Sequence, residues 1–304
     1  MSDETNIGTA KILGDVYFDG EYLPSDRAVV PVQHWGLRRA DAVYDTVSVV
    51  GNNFFNLDAH LSRFQTSLNL FKLSPPESMK EIEEIAHRLA RNSGAADCMI
   101  TFDCLRGVSV PGKPANAAFA PSYLIGYAVP YYHIVPPIAV ERGAHMIISS
   151  VMRIPAASVD PRAKNYHRGD MTRATFEAVE VGADQPILLD LNGNVTEGPG
   201  FNVFAVIGGE VVTPDAGVLE GVTRGACLEL CQKLGIPSAA RPLPVEELRQ
   251  AEELFLTSTA GGIMAITRLD GRIYTNDRPG EITSRLQEQY WTLRREGWHS
   301  VPVK

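Results

Sequence analysis

Five short stretches of the chain hold residue types that could do chemistry. Pro161-Arg162-Ala163-Lys164-Asn165-Tyr166 sets a lysine close to two arginines, Arg162 and Arg168. A lysine amine becomes a nucleophile when burial or a neighbouring cation lowers its pKa, whereas most lysines are simply solvated. Asn194-Val195-Thr196-Glu197-Gly198-Pro199-Gly200-Phe201-Asn202 puts one carboxylate in a tight loop between apolar runs. Its glycines let the backbone approach a ligand closely, although an exposed loop acid is the ordinary alternative. Leu219-Glu220-Gly221-Val222-Thr223-Arg224 runs from a glycine into a helix start, where unpaired N–H groups and the helix dipole favour an anion. Thr223 there either caps the helix or holds a phosphate oxygen. Leu256-Thr257-Ser258-Thr259-Ala260-Gly261-Gly262 ends a strand in hydroxyls and glycines. Two loops of this kind can converge on one phosphate, and each alone is equally a plain turn. His60 and Arg63 share one flank of a helix, where an arginine beside an apolar face suits phosphate and a solvated flank is the bland alternative.

Other chemistries are missing. The histidines form no H-x-x-x-H pair and gather no carboxylates, so no metal site is expected. G-x-S-x-G, a Walker P-loop and G-x-G-x-x-G are absent. Cys98, Cys104, Cys227 and Cys231 contain no C-x-x-C and read as core thiols.

The elements that must position these residues belong to an ordinary globular chain. It has 304 residues, 44% hydrophobic and 21% charged, which excludes both a disordered chain and a disulfide scaffold. A net charge of -8 argues against a nucleic-acid partner. The apolar stretch 121–140 is cut by Pro130, Pro136 and Pro137, so no membrane span is expected, and the polar N-terminus has no signal-peptide pattern; the expected location is cytoplasmic. The first ten residues read as loose.

Hairpins are expected around Asp19-Gly20 and Gly51-Asn52-Asn53, followed by a helix with Leu57, Leu61, Phe64, Leu68 and Phe71 on one face. A second helix spans Ser78–Asn92, and Cys98–Leu105 and Ser122–Val129 read as buried strands. The Pro-rich stretch 130–137 reads as a linker, dividing a smaller α+β domain, 1–129, from a larger C-terminal domain, 138–304. The second half should hold a strand at Ala144–Val151 and a helix capped by Asp170 and ended by Gly182. Hairpins and strands should follow through Ile187–Thr213, then a helix capped by Thr223 and closed by Gly235, a helix at Val245–Ala251 and a strand at Leu254–Thr257.

The order of the pieces is the strongest signal. Arg63 is followed by Lys164-Asn165, then Glu197-Gly198-x-Gly200-x-Asn202, Gly221-x-Thr223-Arg224, and Thr259-Ala260-Gly261-Gly262. In this order, from about Phe18 to Thr283, the chain resembles the fold type IV pyridoxal-phosphate aminotransferases, the superfamily of branched-chain and D-amino-acid aminotransferases. Within it the chain looks most like the (R)-selective amine transaminases, through Asp160–Asn165, Arg168-Gly169-Asp170, Thr213-Pro214-Asp215 and Thr259–Met264.

The resemblance implies a two-domain fold mixing α+β and α/β parts, pyridoxal 5'-phosphate as cofactor, a homodimer, and an amine and a keto acid as small-molecule partners. It makes Lys164 the Schiff-base lysine and proton shuttle of a ping-pong transamination. Glu197 would pair with the pyridine nitrogen, while Arg63, the Val222 and Thr223 N–H groups and Thr259 would hold the 5'-phosphate. The role of Tyr166 stays open. The implied reaction moves an amino group from a chiral primary amine or D-amino acid to a keto acid such as pyruvate. The alternatives are a branched-chain or D-amino-acid aminotransferase, or an aminodeoxychorismate-type lyase.

Both usual carboxylate clamps look missing. The strand that carries Tyr-x-Arg in branched-chain enzymes reads Met99-Ile100-Thr101-Phe102 here, and no Arg-x-His follows Arg106-Gly107. Lys113, in the loop Val108–Pro114, and Arg39, near Tyr44, are the candidate carboxylate anchors. Tyr44, Val47, Tyr127 and that loop are the candidate pocket wall.

Overall fold

The structure, a computed structural model, describes residues 11–304, so the expectation for the first ten lies outside the described residues. The chain divides into two compact units. The first comprises residues up to Tyr132 together with Lys164–Tyr166 and His299–Lys304; the second comprises His133–Ala163 and His167–Trp298. The chain first passes from one to the other within the stretch 130–137. The two short returns to the first unit are not contained in a linear division of the sequence.

In the first unit, β1 (Leu13–Phe18) and β2 (Glu21–Leu23) form a hairpin, followed by the short helix α1 (Trp35–Arg38). Then come β3 (Ala42–Val50), β4 (Asn53–Phe55), α2 (Leu57–Phe71), α3 (Met79–Asn92), β5 (Cys98–Arg106) and β6 (Ser122–Pro130). The strands make an antiparallel sheet in the order β4-β3-β5-β6-β1-β2. Helix α3 begins with a reciprocal Ser78–Glu81 capping box, which satisfies donors that the first turn leaves open. Leu57, Leu61, Phe64 and Leu68 of α2 point into a core shared with Val43, Val47, Ile100 and Phe102.

Strand alternation separates two faces of this sheet. Val43, Val47 and Val49 of β3 join the core, so Val47 is a core residue and not pocket wall. Tyr44 and Thr46 stand on the other face, opposite Asp103 and Thr101 of β5.

The second unit begins with α4 (Pro137–Arg142), a short helix that starts at the last residue of the expected linker, and β7 (Ala144–Ile148). It continues with α5 (Gly169–Glu180), β8 (Gln185–Ile187), β9 (Glu197–Gly198), β10 (Phe201–Ile207) and β11 (Glu210–Thr213). There follow α6 (Val222–Leu234), β12 (Ser238–Ala240), α7 (Val245–Gln250) and β13 (Glu253–Ser258). The last elements of this unit are β14 (Gly262–Leu269), β15 (Arg272–Ile273) and α8 (Glu281–Arg295). Its mixed sheet runs β12-β11-β10-β13-β14-β7-β8. The terminal strand β16 (Ser300–Pro302) pairs with β4 of the first unit.

Two expected helix caps are corrected. Asp170 lies inside the first turn of α5, with Arg168 at the cap position, because its carboxylate is taken up by Arg153 and the Ile154 N–H. Thr223 is the second residue of α6, and Gly221 occupies the cap. Helices α4 and α8 and strand β14 lie beyond the elements expected from the sequence. The Glu253 carboxylate, 29 residues away, accepts the Ile282 and Thr283 N–H groups at the start of α8. Among the described residues no helix is long and apolar enough to cross a membrane.

Candidate active site

Lys164 is held by the sheet of the first unit. Strand β4 pairs only with the far end of β3, at Val49 and Val50, so the near end of β3 has an open edge. Lys164–Tyr166 fills that edge as a short antiparallel segment. The Tyr44 N–H donates to the Lys164 carbonyl (2.9 Å), the Tyr166 N–H donates to the Ala42 carbonyl (3.2 Å), and Asn165 bridges to Val43. The fully buried Ser67 hydroxyl accepts the Lys164 N–H at 3.0 Å and donates to the Arg63 carbonyl at 3.0 Å, joining the lysine to helix α2. The partly buried Lys164 side chain carries its Nζ over the Tyr44 ring, 4.3 Å from the centroid.

The same sheet face carries an acid. Asp103, buried on β5, accepts the Tyr166 hydroxyl at 2.6 Å and is also hydrogen-bonded by Tyr127. Tyr127 in turn meets Thr101, whose hydroxyl lies 3.1 Å from that of Thr46. Burial pushes the Asp103 carboxyl up to about 6, against the opposing pull of the two tyrosine hydroxyls and the Lys164 charge. The rings of Tyr44 and Tyr166 meet edge to face at 5.7 Å.

On the core face, the Arg63 Nε donates to Asp45 Oδ2 at 2.7 Å and its Nη2 donates to Oδ1 at 2.8 Å. His60 Nδ1 lies 2.8 Å from the same Oδ1. Burial raises the Asp45 pKa, but Arg63 and His60 outweigh it and hold the carboxyl well below its usual range. Burial lowers the His60 pKa, against the opposing pull of the Asp45 carboxylate. Arg63 is therefore engaged with a carboxylate, in place of the solvated flank that its position on a helix allows.

The second unit holds the remaining motifs. Glu197 is buried, not an exposed loop acid. Its Oε1 accepts Arg153 Nη2 at 3.0 Å and its Oε2 accepts the Leu219 N–H at 2.9 Å. Arg153 also donates to Asp170 Oδ2 at 2.6 Å. Burial works against the Arg153 charge, and Glu197 and Asp170 overcome it and raise its pKa. One guanidinium between two carboxylates leaves an excess negative charge in a buried place. A protonated ring nitrogen suits such a site.

Val222 and Thr223 open the 13-residue α6, and its cap residue, Gly221, makes no side-chain cap bond. Gly221 is required there, because a Cβ would come within 2.0 Å of the Asn202 Oδ1. Asn202 pairs in register with both Glu197 and Thr257 and donates to the Leu219 carbonyl at 2.9 Å, so it ties the β9 and β13 ends to this loop. The Thr257 hydroxyl is buried without a hydrogen-bond partner among the described residues. Thr259 lies just past β13 and is partly exposed. An uncapped helix N-terminus, an orphaned buried hydroxyl and a buried acid with excess negative charge fit a phosphate-bearing, ring-protonated cofactor.

The candidate anchors also belong to the first unit. Arg39 is exposed and stacks on Trp35 at 4.0 Å, and Lys113 is exposed with its Nζ 5.8 Å from the Phe119 centroid. Among the described residues no group of His, Cys, Asp and Glu could hold a metal ion, and all four cysteines are free and buried.

Asp45, Asp103 and Arg153 were not singled out from the sequence. Asp45 and Asp103 had a signal, since each is an acid inside an otherwise apolar strand run. Arg153 had none, because its two partners lie 17 and 44 residues away.

Comparison with known proteins agrees with this chemistry. Residues 42–269 match the amino-transferase class IV family. A Methanocaldococcus jannaschii protein, provisionally named a branched-chain-amino-acid aminotransferase, is 30% identical over 281 residues, covering 92% of this chain and 96% of the relative. The branched-chain amino acid aminotransferase of Escherichia coli superposes with a TM-score of 0.90 at 25% identity, over 96% of this chain and all of that one (100%). A second solved branched-chain amino acid aminotransferase, from T.th. and holding pyridoxamine 5'-phosphate, gives 0.88 at 26% identity over 96% and 99% of the two chains. This chain therefore belongs to the class IV aminotransferases and is a pyridoxal-phosphate-dependent enzyme of that family, with the fold type IV architecture.

Proposed function

We propose that this enzyme moves an amino group between an amino acid of the aliphatic, branched-chain class and a keto acid. The observation that carries the reading is the pinned segment Lys164–Tyr166, which fixes one amine on a sheet face lined by Tyr44, Thr101 and Tyr127. The names of the relatives support an amino-acid donor more than a simple amine.

When bound, pyridoxal phosphate supplies an electron-poor ring that stabilises negative charge at the carbon bearing the amino group. Lys164 Nζ is the amine that holds the cofactor at rest and carries a proton from the substrate α-carbon. Glu197, set by Arg153 and the Leu219 N–H, accepts the ring N–H and keeps that nitrogen protonated. The Val222 and Thr223 N–H groups, Thr259 and Arg63 are the proposed phosphate ligands, with Asp45 and His60 orienting the Arg63 guanidinium. Arg39 and Lys113 are the proposed cations for the substrate carboxylate.

A second reading, an (R)-selective primary-amine donor, is favoured by β5, which sets Thr101 and Asp103 opposite Thr46 and Tyr44, where a carboxylate-bearing donor would need a positive charge. The test is a half-reaction on holoenzyme with L-leucine, D-alanine, and (R)- and (S)-1-phenylethylamine, each followed by the change in cofactor absorbance. The proposal expects a fast response to L-leucine. A response confined to the (R)-amine overturns it in favour of the second reading.

A further inference from the structure

Helix α8 has no part in the mechanism above, yet it lies behind both stretches of the second unit that are proposed to hold the phosphate. It packs on α6, β13 and β14. Its Tyr290 is fully buried. The ring closes on Gly262, the first residue of β14, where a Cβ would come within 2.5 Å of Tyr290 Cε1 and 3.3 Å of Trp291 Cζ2. The turn Thr259–Gly261 leads directly into Gly262, so it is seated on this ring. Burial raises the Tyr290 pKa, and Arg294 and the nearby Thr223 hydroxyl pull against that rise. Arg294, one turn further along α8, donates from Nη1 to the Tyr290 hydroxyl at 3.3 Å and lays its guanidinium over the Trp291 ring at 5.0 Å. Trp298 meets the Tyr290 ring edge to face at 6.2 Å and donates its Nε1 proton to Glu229 of α6 at 3.1 Å. The Thr223 hydroxyl is itself buried and completes no hydrogen bond of its own among the described residues.

We propose that Tyr290 is a positioning residue for the cofactor phosphate: its ring seats the turn that carries Thr259, and its hydroxyl aims that of Thr223. The inference rests on the reading that the start of α6 and the Thr259 turn hold this phosphate. Arg294 donates to the phenol oxygen and so leaves the phenol its own proton to give. A Thr223 oxygen that accepts this proton keeps its hydroxyl proton for an anion at the helix start. Bonds in such a chain polarise one another, and this chain begins on a cation. The donor offered to the phosphate is therefore stronger and better aimed than an isolated hydroxyl.

The test titrates the full-length enzyme, freed of cofactor, with pyridoxal 5'-phosphate and separately with pyridoxal, which lacks the phosphate. The ratio of the two dissociation constants isolates the phosphate contacts. Tyr290→Phe keeps the ring and removes the hydroxyl. It is expected to weaken pyridoxal phosphate by about tenfold and to leave pyridoxal within about twofold of wild type. Arg294→Met keeps the whole tyrosine and is expected to lower the same ratio by about threefold. Thr223→Val is expected to lower it as well, and adding Tyr290→Phe to that variant to cost little more, because the phenol hydroxyl acts through Thr223. The phosphorus NMR resonance of the holoenzyme, a readout apart from affinity, is expected to move in Tyr290→Phe.

A merely structural role for Tyr290 would weaken both ligands together and leave the ratio unchanged. A ratio within about twofold of wild type in Tyr290→Phe, or in Arg294→Met should the first variant not fold, overturns the proposal. So does a double variant in which the two losses simply add. An unchanged ratio in Thr223→Val would show that the phosphate does not meet this loop, and the phosphate reading and the inference would fall together. Failure of L-leucine as donor would sink the branched-chain reading and leave these ratios measurable.

Discussion

At the scale of single residues, buried acids with different partners behave in opposite ways. Asp45 meets a guanidinium and an imidazole and stays ionised. Asp103 meets two hydroxyls, and burial lifts its carboxyl to about 6. Between the ordinary aspartate range and about 6, the folded protein holds a proton at Asp103 that the unfolded chain has released. Stability linked to this group is thus fully present below about pH 4 and is lost as pH rises through about 6. Asp103→Asn, which keeps a carbonyl oxygen for both tyrosine hydroxyls, is therefore expected to gain about 2–3 kcal/mol on wild type between about pH 4 and about pH 7.5. Urea midpoints at the two pH values check this, and an equal difference at both would refute it.

At the scale of elements, the site depends on how strands and helices share their faces. Strand β3 gives Val43, Asp45 and Val47 to the core side and Tyr44 and Thr46 to the other, so one strand serves both the Arg63 cluster and the Lys164 cluster. Helix α2 lays His60, Arg63 and Ser67 along one flank, reaching Asp45 through the first two and the Lys164 backbone through the third. Removing Asp45 leaves a buried guanidinium without its bidentate carboxylate. Asp45→Ala is expected to destabilise the protein by about 3–5 kcal/mol, read by chemical denaturation, and to weaken cofactor retention if Arg63 serves the phosphate. A variant within about 0.5 kcal/mol of wild type would show that the pair is energetically idle.

At the scale of the whole molecule, the chain does not finish one unit before starting the next. Lys164 and the last strand both belong to the first unit, although most of the residues around them in sequence belong to the second. Strand β16 covers β4 and sets Val301 opposite Phe54, packed against the first core. Val301→Asp puts a charge against that core. The expected loss is about 2 kcal/mol, seen as an earlier thermal or urea transition of the first unit. An unchanged transition would mean that the returning strand adds no stability.

The sequence by itself determined much of this protein. Helix periodicity, the Asp19-Gly20 and Gly51-Asn52-Asn53 turns and the order of five motifs are read along the chain, so α2, α3, the hairpins, the glycine-bearing loop before α6 and the aminotransferase chemistry were legible. Helix α8 and the caps of α5 and α6 were not. They depend on the Glu253, Arg153 and Asn202 side chains, which reach their partners across tens of residues. Tertiary structure alone decided which ionisable groups meet: Arg63 with Asp45, Glu197 with Arg153, and Tyr166 with Asp103, separated by 18, 44 and 63 residues. Charge and burial act through space, and a residue's sign and exposure follow from the faces that strands and helices turn toward one another. For that reason the local sequence around Glu197 left open an exposed loop acid or a held one, and the fold makes it a buried, paired carboxylate.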